Sequence, residues 1–206
     1  MKKNFLALAF AWLFISTPSI LHAQANAEAG KAKAASCAGC HGEEGNSTTP
    51  SFPKLAGQHT SYLVKQLQEF KNGSRSDPMM SAMAQSLSQD DMEDIAAYYA
   101  LQKISADTLP ASAVEEEKQG NDLYRNGDLA REVSACIACH GPLGEGNKPA
   151  AFPALKSQHA DYLIKTLTDF KNGTRSRNLE NPMVMIAKKM TDEEIKDLAY
   201  HISIMK

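Results

Sequence analysis

The sequence is written twice, and a chain built from two like copies must fold as two like domains or as one pseudo-symmetric body. The segment SFPKLAGQHTSYLVKQLQEFKNGSRS at 51–76 recurs as AFPALKSQHADYLIKTLTDFKNGTRS at 151–176, with 15 of 26 positions identical at a constant offset of 100. Upstream, CAGCHG at Cys37 pairs with CIACHG at Cys136; downstream, LSQDDMEDIAAYY pairs with MTDEEIKDLAYHI. Two copies of this length are homologous domains, since stacked arrays need shorter units and at least about three of them. The expected division is a first domain over 26–103, a linker over 104–116 that carries Pro110 and small polar residues, and a second domain over 117–206.

The first 25 residues stand outside the repeat. Lys2 and Lys3 are followed by an unbroken apolar run of 11 residues from Phe5 to Ile15, then Pro18 and small residues at Ala23, Ala25 and Ala27. This is the pattern of a cleaved export signal, because a spanning helix needs about 20 apolar residues. The expected location is therefore the periplasm, with peripheral association at the inner membrane left open. Without this segment the 22 basic residues fall to 20 against 24 acidic ones. An acidic chain lacks the basic surplus that phosphate neutralisation requires, which excludes a nonspecific nucleic-acid binder. Removing the segment also removes Trp12, the only tryptophan, and leaves four phenylalanines, Phe52, Phe70, Phe152 and Phe170, in two repeat pairs. So thin an aromatic supply leaves room in each small domain for a group other than side chains.

Each copy reads as helical. Tyr62, Leu63, Leu67 and Phe70 share one helical face that ends at Asn72-Gly73, and Tyr162, Leu163, Leu167, Phe170 and Gly173 repeat it. The last helix of each copy opens on a cap, Ser88 with Asp91 and Thr191 with Glu194, the second a full capping box. Met92, Ile95, Ala96 and Tyr99 then form an inward stripe, as do Ile195, Leu198, Ala199 and Ile202. No alternating run of strand length appears, so the fold class is all-α.

All four cysteines lie in Cys37-Ala38-Gly39-Cys40-His41 and Cys136-Ile137-Ala138-Cys139-His140. Cys-X-X-Cys-His is the spacing of covalent haem c attachment. Two thiols one helical turn apart meet the two vinyl groups of one porphyrin, and the imidazole that follows reaches the iron. Cys37, Cys40, Cys136 and Cys139 are the expected attachment points for two haem c groups, and His41 and His140 the expected proximal ligands. A thioredoxin-like dithiol wants a βαβ context, and structural zinc does not explain a histidine directly after each pair. A disulfide across two residues constrains little.

The second axial ligand decides the redox character. Counting back without a gap from the terminal helices aligns Leu87 with Met190 and nominates Met80 and Met183. Matching Asp77-Pro78 to Asn181-Pro182 nominates Met79 instead of Met80. His59 and His159, also equivalent, form a competing bis-histidine set, although each sits in a Gln-His pair where a solvated helix start is ordinary. Any carbonyl near Pro50, Pro53, Pro149 or Pro153 could orient the proximal imidazoles. Arg75 and Arg175 recur after the helix stop and could neutralise haem propionates.

With these residues together, the chain resembles the dihaem class I cytochromes c, and specifically the cytochrome c4 family: CAGCHG, FPKLAGQ, YLVKQLQEF, NGSRS, the PMM cluster and LSQDDMEDIAAYY all take part. The resemblance implies two tandem cytochrome c domains related by an approximate two-fold, and His/Met ligation of both haems, here His41 with Met80 and His140 with Met183. It further implies a periplasmic electron carrier between a quinol-oxidising complex and a terminal oxidase. Gly30 precedes Cys37 by seven residues while Gly120 precedes Cys136 by 16, so the two haem environments are expected to differ. A dihaem peroxidase or a dehydrogenase of small sulfur compounds, the enzymatic alternative, would need an open iron with acid–base residues beside it.

Overall fold

Side-chain caps open five of the ten α-helices among the described residues. Asn26 accepts from the Glu28 and Ala29 amides to open α1 (Ala27–Lys33), which runs through Ala34 into α2 (Ala35–His41). After a long loop come α3 (Thr60–Asn72), α4 (Pro78–Gln85) and α5 (Gln89–Ala100). The second copy repeats the order with α6 (Val114–Asn126), α7 (Ile137–His140), α8 (Ala160–Lys171), α9 (Pro182–Ala187) and α10 (Asp192–Ile204). This computed structural model describes residues 25–108, 111–176 and 178–206, so the export segment read over 1–25 lies outside the described residues except for its last position. Among the described residues there is no strand, only the isolated bridges Asp128 to Val133 and Asn147 to Phe152, and no helix long and apolar enough to cross a membrane. The all-α expectation holds. Both terminal helices open on complete capping boxes, because Asp91 is also long enough to reach the Ser88 amide, at 2.9 Å.

Each copy is organised by one helix crossing. α1 lies on α5 and α6 on α10, and the remaining helices of each copy pack around that pair. Glycine permits the close approach: a Cβ on Gly30 would fall 1.9 Å from the Asp94 carbonyl oxygen, and one on Gly120 would fall 2.0 Å from that of Asp197. The loop before α3 is tied to the terminal helix by Gly57 N–H donating to the Tyr99 carbonyl at 2.9 Å, repeated by Ser157 N–H to the Ile202 carbonyl at 3.1 Å. Gly57 and Ser157 both take a left-handed backbone, with φ of 67° and 58°. The serine accepts that strain while its hydroxyl donates to the Met205 carbonyl at 2.7 Å.

The inward stripes of the terminal helices are buried as expected. The crossings differ in what fills them. In the first copy Ala34 faces Tyr98, whose hydroxyl donates to the Glu43 carbonyl at 3.0 Å. In the second, Tyr124 on the opposite helix donates to the Gly141 carbonyl at 2.6 Å and packs on His201, with ring centroids 5.5 Å apart. The tyrosine has changed helices, yet in both copies its hydroxyl pins the loop after Cys-X-X-Cys-His.

A second difference is electrostatic. Asp94 accepts from the Asn26 amide and from Lys33, which also bridges to Asp91. The matching carboxylate, Asp197, is 3% exposed, and its Oδ1 has no partner among the described residues; three residues after Gly120, where Lys33 would stand, is Leu123. Lys33 accordingly holds Asp94 below the ordinary carboxylate range, whereas burial, with Glu193 and Glu116 nearby, pushes Asp197 above it. The two act oppositely with pH. The stabilisation from Asp94 is present at neutral pH and is lost as pH falls through its lowered pKa. The folded protein holds the Asp197 proton more tightly than the unfolded chain does, so the stability linked to it is present in acid and is lost as pH rises through its raised pKa. Asp197→Asn keeps a polar group in place but removes the buried charge, so it is expected to raise the melting temperature of the holoprotein at pH 7, with a smaller gain in acid. Thermal melts at both pH values check this, and an unchanged or lower melting temperature at pH 7 would refute it.

Candidate functional site

The short helices α2 and α7 present the thiols and imidazoles one turn apart. Cys37, Cys40, His41 and His140 lie within these helices with Cys139, and Cys136 is the N-cap residue just before α7. Cys37 packs against the first core cluster and Cys136 against the second. Burial pushes the Cys37 thiol up and the Cys136 thiol up to about 12, so each is held as a neutral thiol against an apolar wall. Zinc takes thiolates. Among the described residues no group of three or more His, Cys, Asp or Glu side chains converges as a metal cage.

Of the candidate proline carbonyls, the structure selects two. His41 Nδ1 lies 2.8 Å from the Pro53 carbonyl oxygen and His140 Nδ1 lies 3.0 Å from that of Pro153. A carbonyl only accepts, so Nδ1 carries the proton and Nε2 keeps its lone pair. Burial lowers both imidazole pKa values, more than the proline hydrogen bonds raise them. Each ring is thus a neutral Nδ1–H tautomer, the form in which histidine ligates a metal through Nε2. Phe52 and Phe152 stand beside these rings, with centroids 6.3 and 6.2 Å away.

The methionine helices can be matched in two ways. Aligning the caps Asp77 and Asn181 pairs Met79 with Met183. Aligning burial pairs Ala84 with Ala187, both 0% exposed, and hence Met80 with Met183, each four residues earlier. Met80 and Met183 are both half-buried, whereas Met79 and Met185 are each 53% exposed. The burial register places equivalent side chains in equivalent surroundings; α4 simply starts one residue earlier.

His59 and His159 do something the spacing did not suggest, since each bonds a carbonyl of the other copy. His59 Nε2 lies 2.8 Å from the Glu145 carbonyl oxygen in the other copy. His159 is 6% exposed, with Nε2 2.9 Å from the Ser47 carbonyl and Nδ1 2.9 Å from the Asp107 carboxylate. Beside them, Gln58 accepts from the Ala154 amide and donates to the Ala154 carbonyl, at 2.9 and 2.8 Å. Gln158 closes the same pair of bonds on Lys54, at 2.8 and 2.9 Å. Each glutamine replaces a missing strand partner across the two-fold and grips the residue directly after the proline that orients a histidine. Lys54 is itself buried, its ammonium donating to the Ser105 and Ser157 carbonyls.

The arginines cross the same face. Arg75 donates to Gln66 at 2.6 Å and to the Tyr162 hydroxyl at 3.2 Å, its guanidinium 4.4 Å from the Phe70 ring centroid. Arg175 donates to Thr166 at 3.0 Å and to the Tyr62 hydroxyl at 2.7 Å, 4.7 Å from the Phe170 centroid. Burial pushes the Tyr162 phenol up, but the two guanidiniums outweigh it and the net shift is downward. Neither arginine forms an ion pair with a carboxylate of the described residues. Two part-buried cations with only neutral partners fit a group that brings its own carboxylates. Thiols one turn apart, an imidazole with a free Nε2, a half-buried methionine and such a cation are therefore present in both copies, and together they fit a haem.

The cytochrome c family model matches residues 27–100 and 118–206. Cytochrome c4 from Stutzerimonas stutzeri is 44% identical over 202 residues, covering 92% of this chain and 94% of that protein. A thiosulfate dehydrogenase electron acceptor from Stutzerimonas stutzeri (strain A1501) is 36% identical, covering 82% and 79%. The crystal structure of reduced recombinant cytochrome c4 from Pseudomonas stutzeri superposes with a TM-score of 0.83 at 42% identity, over 88% of this chain and 100% of that one.

The glutamine clasp makes a mutational expectation. Gln158→Ala strips the buried Lys54 amide and carbonyl of their partners and is expected to cost about 2 kcal/mol or more. Gln58→Ala frees only the half-buried Ala154, which water can reach, and should cost less. Denaturant unfolding of the two variants side by side measures the difference, and equal costs would argue against the clasp as the reason.

Proposed function

Because the chain belongs to the cytochrome c4 family of dihaem cytochromes c, we propose that its two copies, 26–103 and 117–206 joined by 104–116, each hold one haem and pass electrons one at a time. In the first copy Cys37 and Cys40 form the thioether attachments, with His41 and Met80 as axial ligands. In the second, Cys139 and Cys136 attach the haem, with His140 and Met183 as ligands. The observation that carries this is the doubled imidazole geometry, a neutral ring held to a proline carbonyl at 2.8 and 3.0 Å directly after each pair of thiols.

Covalently bound haem c supplies a one-electron ferric–ferrous couple. The chain's own part is to keep both ligand side chains in place in either oxidation state, so that little rearranges on electron transfer. The proline carbonyls fix the imidazole planes and strengthen the nitrogen donors. The methionines raise the potential above that of a bis-histidine centre, and with His59 and His159 engaged across the two-fold, methionine is the remaining repeated donor. Arg75 and Arg175 supply positive charge for the propionates.

The amino-terminal signal pattern supports export to the periplasm, and the family supports a carrier over an enzyme. Within the respiratory chain the proposed role is to take electrons from a quinol-oxidising complex and deliver them towards a terminal oxidase. A second reading rests on the relative named as a thiosulfate dehydrogenase electron acceptor: here the donor would be a dehydrogenase of small sulfur compounds. Stopped-flow reduction by each purified donor separates the two.

The ferric holoprotein is expected to show the weak long-wavelength band of methionine–iron ligation with the intensity of two centres. Met80→Ala should halve that band and let the ferrous protein bind one carbon monoxide, and Met79→Ala should change neither. Retention of the full band in Met80→Ala would overturn the ligand assignment.

A further inference from the structure

Position 99 breaks the repeat in the middle of the core. The paired backbone bonds, Gly57 N–H to the Tyr99 carbonyl and Ser157 N–H to the Ile202 carbonyl, make Tyr99 and Ile202 equivalent. Both are buried, at 1% and 2% exposure. The second copy shows that a purely apolar side chain completes this part of the fold. Tyr99 adds a hydroxyl that is out of contact with solvent and has no hydrogen-bond partner among the described residues. Such an orphan is costly, and native structures hold few.

The ring has little freedom to turn elsewhere. Gly45 lies against it so closely that a Cβ there would fall 2.7 Å from Tyr99 Cδ1 and 3.1 Å from Cε1. Cys37 packs against the core cluster to which Tyr99 belongs. The two polar groups feel one another: burial raises both, and the Tyr99 hydroxyl is among the groups that favour the ionised Cys37 sulfur. Tyr98, the adjacent phenol, is already committed to the Glu43 carbonyl. A hydroxyl kept dry, unpaired and beside an attachment sulfur has one acceptor within the chemistry of the site.

We propose that Tyr99 is a positioning residue whose hydroxyl, unpaired while Cys37 is a free thiol, donates a hydrogen bond to the Cys37 sulfur once that sulfur carries the haem, and thereby raises the reduction potential of the first haem, a device that Ile202 denies to the second. The inference rests on Cys37 carrying a haem, as proposed above. Hydrogen bonds to ligating and attachment groups and local polarity tune such potentials. A donor on the sulfur withdraws electron density from the macrocycle and so favours the ferrous form.

Tyr99→Phe in the holoprotein is the test, since it removes only the oxygen and keeps the ring against Gly45. In an optical potentiometric titration of both haems, one midpoint is expected to fall, by less than the shift that about a tenfold change in its one-electron equilibrium constant would give, because a neutral hydrogen bond is worth about that much in total and only its difference between the two oxidation states is read. The other midpoint should stay in place, and the melting temperature should not rise. Two unmoved midpoints, or two that move together, would overturn the proposal; a rise in melting temperature would show that the hydroxyl was unpaired in the holoprotein and would overturn it as well. Haem content by pyridine haemochromogen assay separates this from failure of the functional reading. Two haems per chain with unmoved midpoints reject the role of Tyr99 alone, while fewer than two in the unsubstituted protein reject the haem assignment itself.

Discussion

The hydrogen bond from each imidazole Nδ1 to a proline carbonyl ties the site to the rest of the molecule. It selects the tautomer, fixes the ring plane and leaves Nε2 as a donor. It also depends on the backbone of Pro53 and Pro153 staying where it is, and the next residue in each case is held by a glutamine of the opposite copy. The first copy's imidazole is therefore braced by the second copy, and the reverse. The face between the copies is polar because it must make directional bonds of this kind; an apolar seam would hold the copies together without fixing a carbonyl.

Against that shared frame, the copies have drifted in ways that preserve function by different chemistry. The tyrosine that pins the loop after Cys-X-X-Cys-His comes from α5 in one copy and α6 in the other, and alanine or histidine takes up the exchanged volume. The carboxylate at the helix crossing is paired in the first copy and stranded in the second, because Leu123 stands where Lys33 would reach it. At the base of the core a tyrosine in one copy faces an isoleucine in the other. Close backbone approach at Gly30 and Gly120 is strict, since the neighbour is a carbonyl oxygen that cannot move away. Side-chain volume and charge around it are free to vary if something nearby compensates.

Much of the site was legible in the residues alone. The repeat, the two attachment motifs, the helix caps and the inward stripes are all patterns whose partners lie within a few positions of one another, so spacing encodes them. The pairing of Met80, rather than Met79, with Met183 was half legible: the gap-free count favoured it, and the burial of Ala84 and Ala187 supports the same register. The Gln-His pairs were visible as repeated residues but not as a clasp. A histidine at a helix start looks solvated in sequence, and only the opposite copy, folded against it, supplies the carbonyl that it bonds.

Residue identity and spacing by themselves determined the helical class, the doubling, the haem chemistry and the candidate ligands, because thiol pairs, caps and helical faces are local arrangements. Tertiary structure decided which carbonyl orients each imidazole, what His59 and His159 bind, and where Arg75 and Arg175 point. Those partners stand far off in the chain, 12 residues from His41 to Pro53 and 112 from His159 to Ser47. At such separations a contact is chosen by the packing of whole domains, where a buried donor must find whichever acceptor the fold brings to it.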